Sequence, residues 1–101
     1  MEITENFKNW LQAEERSSGT IEKYLRDIRK LRIWLHEREL SKETLAEWKS
    51  TLVAEGYAPI TVNSMLASAN TYCRFMGYSF RAKLLRIQKR LFREEDVVRC
   101  I

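Results

Sequence analysis

An all-α fold is the class this sequence predicts, and three observations carry the prediction. Gly and Pro are scarce, three and one in 101 residues, so turn-formers interrupt the chain rarely. Leu, Glu, Lys and Arg, which lose little side-chain freedom in a helix, are abundant. Apolar residues recur at helical spacing in four separate segments. The length fits one domain with a modest core.

The elements follow in order. Ile3, Phe7, Trp10 and Leu11 share a helical face behind Thr4, which predicts a first helix over about residues 4–15. Ser17, Ser18 and Gly19 break it. The second helix is predicted from Thr20 to Glu37. With Ile21 as zero and ~100° per residue, Tyr24, Leu25, Ile28, Leu31 and Leu35 fall on one side. Lys23, Arg26 and Lys30 gather near the opposite pole. Ser41 opens a third helix with Glu43 and Thr44 in its first turn; Leu45, Trp48 and Leu52 form its buried stripe, and Gly56 ends it. Pro59 stands where a first helical residue tolerates it, and a fourth helix runs from Ile60 to Met76, stopped by Gly77.

The fourth helix carries two stripes. Val62, Leu66, Ala69, Cys73 and Met76 form the apolar one; Thr61, Ser64, Ser68 and Thr71 form a second, roughly 140° around. Small hydroxyls let a helix approach another surface closely. Two readings fit: packing on a neighbouring helix, or contact with DNA phosphates. Beyond Tyr78 the periodicity blurs into cations interleaved with apolar residues, as a short helix or an extended connector.

Charge and composition narrow the function. The net charge is +4, and its positive part lies mainly in the second helix and the last twenty or so residues, which points to an anionic partner. The opening MEITENFKNW has no positively charged start followed by an apolar run, so a signal peptide is not expected, and no window is apolar enough for a membrane span. Cys73 and Cys100 are far apart and the chain has one His, so neither a zinc site nor a disulfide framework is expected. A reducing, cytoplasmic setting is the expectation, with no cofactor and no metal. His36 stands alone, the carboxylates are adjacent rather than opposed, and no phosphate loop or nucleophile elbow occurs. Trp10, Trp34 and Trp48 are predicted core anchors. The residues describe a protein that binds rather than reacts.

Two blocks carry a resemblance. Ser17, Thr20, Ile21, Tyr24, Asp27 and Trp34 match the first long helix of the core-binding domain of tyrosine recombinases, the phage-integrase family. Gly56, Pro59, Thr61, Val62, Asn63, Leu66, Tyr72 and Phe75 resemble its second DNA-facing helix. The resemblance extends over roughly residues 3–96. It implies a four- to five-helix orthogonal bundle, SAM-like in topology, over residues 1–80. Residues 81–101 are then a basic connector toward a catalytic domain.

The resemblance further implies half of a clamp around double-stranded DNA, held mainly by phosphate contacts. That role falls on Thr20, Lys23, Arg26 and Lys30, and on Thr61, Asn63, Ser64 and Ser68. Arg74, Lys89 and Arg90 complete the expected contacts. The catalytic domain of the same parent protein and other recombinase protomers are implied partners; a membrane is not. Three departures stand out. Ala58 replaces the family's capping Ser, Ser64 replaces a frequent basic residue, and the catalytic Arg, Lys, His, Arg and Tyr constellation is missing. No tyrosine here is expected to be the nucleophile, so the chain is expected not to be an enzyme. The rival reading is a helical protein–protein interaction module in which the hydroxyl face packs on a partner.

Overall fold

The computed structural model describes residues 2–86. Along them the chain forms α1 (Glu2–Ala13), α2 (Ser18–Leu35), α3 (Lys42–Ala54) and α4 (Pro59–Met76). Three of these helices end in the same hydrogen-bonded turn. After α3, Gly56 N–H donates to Val53 C=O and Tyr57 N–H to Leu52 C=O, at 3.0 and 3.3 Å. After α4, Gly77 and Tyr78 repeat the pattern on Arg74 and Cys73, at 3.1 and 2.9 Å. Both glycines have positive φ, which this reversal requires and which only glycine adopts freely.

At the end of α1 the same turn is made without a glycine. Glu15 takes φ 62°, its N–H reaches Gln12 C=O, and Arg16 N–H reaches Leu11 C=O at 3.3 Å. This left-handed residue ends α1 at Ala13, two residues before the boundary the sequence predicts.

The start of α2 also differs from expectation. Ser17 Oγ accepts from Thr20 N–H at 3.2 Å, so Ser17 is the N-cap, and Ser18 and Gly19 form the first turn rather than a break. At the other end His36 turns to φ 59° with its N–H on Arg32 C=O, closing the helix at Leu35 instead of Glu37. The α3 start is as predicted and stronger. Ser41 Oγ accepts from Thr44 N–H, while Thr44 Oγ1 accepts from Ser41 N–H at 2.8 Å. The first turn of α4 has no side-chain cap, as Ala58 implies, and Pro59 is its first residue.

The four helices form a small all-α bundle. Phe7, Leu11, Ile28, Leu31, Leu45, Trp48, Leu52, Val62 and Leu66 are fully buried at its centre. Burying side chains of this size contributes about 1.5–3 kcal/mol each, which is what holds short helices together in water. Phe7 seats α1 on α4: its ring meets Tyr72 edge-on at 5.2 Å and Phe75 at 5.2 Å. Of the three tryptophans expected in the core, only Trp48 is there. Trp10 and Trp34 are half-buried shoulders, each covered by a guanidinium, Arg74 at 5.1 Å and Arg38 at 4.3 Å from the ring centre. An indole at a helix edge keeps its N–H in water and offers its face to a cation.

The seam between α2 and α4 is the most extensive helix pairing, and it is not wholly apolar. Asp27 and Ser68 are buried in it. Ser68 Oγ donates to Asp27 Oδ2 at 2.7 Å. Lys23 Nζ donates to the same carboxylate oxygen at 2.7 Å, to Ser68 Oγ at 3.0 Å and to Ser64 C=O at 3.1 Å. Every member of this node has partners, which is the condition for burying a carboxylate without a large penalty.

After Gly77 the described chain is non-helical and runs back along α4. Two asparagines seven residues apart on α4 hold it. Asn70 Oδ1 accepts from Ala82 N–H at 2.7 Å and its Nδ2 donates to Ala82 C=O at 3.1 Å. Asn63 does the same with Leu85, at 2.7 and 2.9 Å. Each carboxamide pairs with the N–H and C=O of one residue, as a residue of a neighbouring antiparallel strand would. Lys49 of α3 adds a bond to Lys83 C=O at 2.8 Å. The first part of the expected connector is therefore held on the helical body.

Candidate nucleic-acid interface

α2 and α4 diverge on the outer side of their seam and leave a groove of about 540 Å³. Lys23, Arg26, Asp27, Arg29, Lys30 and Ile33 line it from α2, Asp27 being the one carboxylate among them. Thr61, Ser64 and Met65 line it from α4, with Tyr57 at the end. The lining follows from helical spacing, because Arg26, Arg29, Lys30 and Ile33 are separated by three or four residues and share one side of α2. Tyr57 reaches the groove through the turn at Gly56, which reverses the chain between α3 and α4.

The cations in the groove divide into two kinds. Lys23 is partly buried and bonded into the seam, and Asp27 neutralises it. Arg26, Arg29 and Lys30 are exposed, and among the described residues none of them is ion-paired with a carboxylate. The Tyr57 phenol oxygen beside Lys30 holds that ammonium above its ordinary pKa, and the Lys30 Nζ lies 5.6 Å from the Tyr57 ring centre. Lys30 thus keeps its charge across the whole neutral range. On α4 the exposed hydroxyl of Thr61 and the half-exposed Ser64 face these charges.

A second hollow, of about 220 Å³, lies at the C-terminal end of α2 and is lined by Arg32, His36 and Arg38. There Arg38 is paired with Glu47 at 2.9 Å and stacked on Trp34. Arg32 of this hollow has no carboxylate partner among the described residues, whereas in the α2–α4 groove three such cations, Arg26, Arg29 and Lys30, lie together.

The residues expected to contact DNA are therefore dispersed. The groove brings together Lys23, Arg26, Lys30, Thr61 and Ser64. Ser68 is fully buried and its hydroxyl is committed to Asp27, so the expectation that it lies on an open face is corrected. The hydroxyl stripe of α4 splits because α2 packs over its middle. Asn63 uses both ends of its carboxamide on Leu85. Thr20 lies in the capped first turn of α2, bonded to Ser17. Arg74 covers Trp10 with Glu14 at 3.8 Å, on the α1 side of α4. Lys89 and Arg90 fall outside the described residues. Sequence reasoning missed Arg29, Ile33, Tyr57 and Met65. The first two were legible in the helical spacing, Arg29 three and Ile33 seven residues after Arg26; the other two required the chain reversal to be known.

Among the described residues no group of three His, Cys, Asp or Glu side chains is placed to hold a metal ion. No helix among the described residues is long and apolar enough to cross a membrane. Cys73 is buried, and burial pushes its thiol up to about 11. Fold and groove together describe a small all-α module with a basic channel between two helices. Residues 4–77 match the phage integrase, N-terminal SAM-like domain, and the chain belongs to that family. Comparison with curated proteins and with solved structures found no match.

Proposed function

We propose that this domain binds double-stranded DNA as the holding half of a tyrosine recombinase clamp, with a phosphate strand lying along the α2–α4 groove. Strand cleavage belongs to a catalytic domain of the same parent protein, and neighbouring protomers complete the synapse. One observation carries the reading. Arg26, Arg29 and Lys30, free of carboxylate partners among the described residues, line one wall of a groove whose other wall presents the hydroxyls of Thr61 and Ser64. Cations neutralise phosphates and small hydroxyls hydrogen-bond to them, which positions a duplex without reading its sequence. Membership of the integrase family supports the same partner.

The test is a titration of the chain with duplex DNA at several salt concentrations. Three engaged cations give a log–log salt slope of about −2.7. Reversing two of them, Arg26→Glu with Lys30→Glu, is expected to abolish binding at unchanged helicity. Lys23 is left in place because it closes the seam. Absence of binding at low salt, or affinity indifferent to salt, refutes the proposal.

A further inference from the structure

The groove contains one residue that a phosphate does not need. Ile33 lies on the cationic side of α2, three, four and seven residues after Lys30, Arg29 and Arg26, the positions that share its face. It is 78% exposed, the most exposed large hydrophobic residue among the described ones, and it is rigid and β-branched at the C-terminal end of a charged ridge. A single exposed aliphatic is ordinary on a protein surface. This one is not isolated, because it lines the same groove as Tyr57 and Met65.

We propose that Ile33 is a base-reading residue that contacts the C5-methyl of thymine in the major groove. The inference rests on the DNA-binding reading above. With a phosphate strand held by Arg26, Arg29 and Lys30, the ridge that carries these residues is the part of α2 that approaches the base edges. The cations fix the register and Ile33 touches what lies between the strands. An aliphatic side chain offers no hydrogen bond to a base, and the one apolar group displayed in the major groove is the thymine methyl. The surrounding positive charge favours a nucleic acid as the occupant over an uncharged apolar segment of a protein.

The experiment isolates the methyl group. Preferred duplexes are selected from a random pool with the full chain, then prepared with either thymine or uracil, which differ only by that methyl. Wild type is expected to bind the uracil duplex about fourfold more weakly, the worth of one buried methyl. Ile33→Ala, checked for helicity by circular dichroism, is expected to bind both duplexes equally, with an unchanged salt slope. Val53→Ala, on α3 and not lining the groove, is expected to retain the wild-type discrimination. Selection without a sequence preference, a wild type indifferent to uracil, or equal discrimination by wild type and Ile33→Ala overturns the proposal. In those cases salt-sensitive binding persists and the DNA-binding reading stands. Absence of binding to any duplex overturns both.

Discussion

Ser68→Ala separates the two roles open to the hydroxyl stripe of α4. In the structure this hydroxyl donates to Asp27 at 2.7 Å and accepts from Lys23 at 3.0 Å, with no exposed surface. Alanine removes one oxygen and leaves no cavity of consequence. The loss is therefore that of a hydrogen bond to a charged acceptor, about 1.5–3 kcal/mol in general. Asp27 retains the Lys23 ammonium, which places the expected cost near the lower end, about 1.5 kcal/mol. For a domain of this size that is a fall in melting temperature of roughly 6–12 °C. The assay is urea denaturation followed by circular dichroism, paired with a DNA titration at a temperature where both proteins are folded. Stability is expected to fall while the affinity of the folded protein holds. An unchanged urea midpoint together with weakened DNA binding refutes the reasoning, since it puts Ser68 on the DNA surface.

Other outcomes follow from single features. Glu15→Gly is expected to stabilise the domain by about 1 kcal/mol, because φ 62° costs an L-residue roughly that much and glycine almost nothing; thermal melts check it, and a lowered melting temperature counts against it. Cys73 is expected to resist alkylation in the native protein until the pH approaches about 11, as read by peptide mapping. Because the folded thiol holds its proton more tightly than the unfolded one, its contribution to stability is present below pH ~9 and is lost as pH rises toward 11. Modification of the native protein near pH 8 refutes its burial. Replacing the node as a whole by Lys23→Met, Asp27→Leu and Ser68→Ala is expected to leave stability unchanged or raise it by about 1–4 kcal/mol. The same variant is expected to bind DNA more weakly, and wild-type affinity with the wild-type salt slope would show that the node does not set the groove.

The helices were legible because their signals are local. Ser41 with Thr44, Pro59, Gly56 and Gly77 each act within one turn, and the apolar stripes need only the helical period. The helix ends that moved, those of α1 and α2, are where one residue accepts an unfavourable conformation, while the start of α2 moved because Ser17 caps it. Nothing in the identity of Glu15 or His36 announces a positive φ, since both adopt it only because the chain must reverse there. The candidate site was half legible. Periodicity put Lys23, Arg26 and Lys30 on one side of α2, which is correct. It could not say that α4 would cross over that side's edge, take Lys23 and Ser68 into the seam, and leave Ser64 and Thr61 in the groove. Asn63 and Asn70 illustrate the same limit. Their seven-residue spacing marks one face of α4, but its occupant, the backbone at Ala82 and Leu85, is fixed by tertiary contacts.

The polar node explains why the groove has a definite shape. A seam of Ile, Leu and Met alone tolerates sliding, because apolar contact is non-directional and one register buries nearly as much as the next. Lys23, Asp27, Ser64 and Ser68 are joined by bonds of 2.7–3.1 Å that satisfy one another in a single register. Sliding α4 by one turn so that Tyr72 replaces Ser68 beside Asp27 would take the serine hydroxyl from the buried carboxylate, at a cost of about 1–3 kcal/mol or more for a charged group. The same turn would carry Thr61 and Ser64 about 5.4 Å along the groove, away from Arg26 and Lys30. So the lysine that the basic stripe lends to the seam does not simply reduce the charge available to an anion. It holds the two walls in the one register where the remaining cations and the hydroxyls face the same channel.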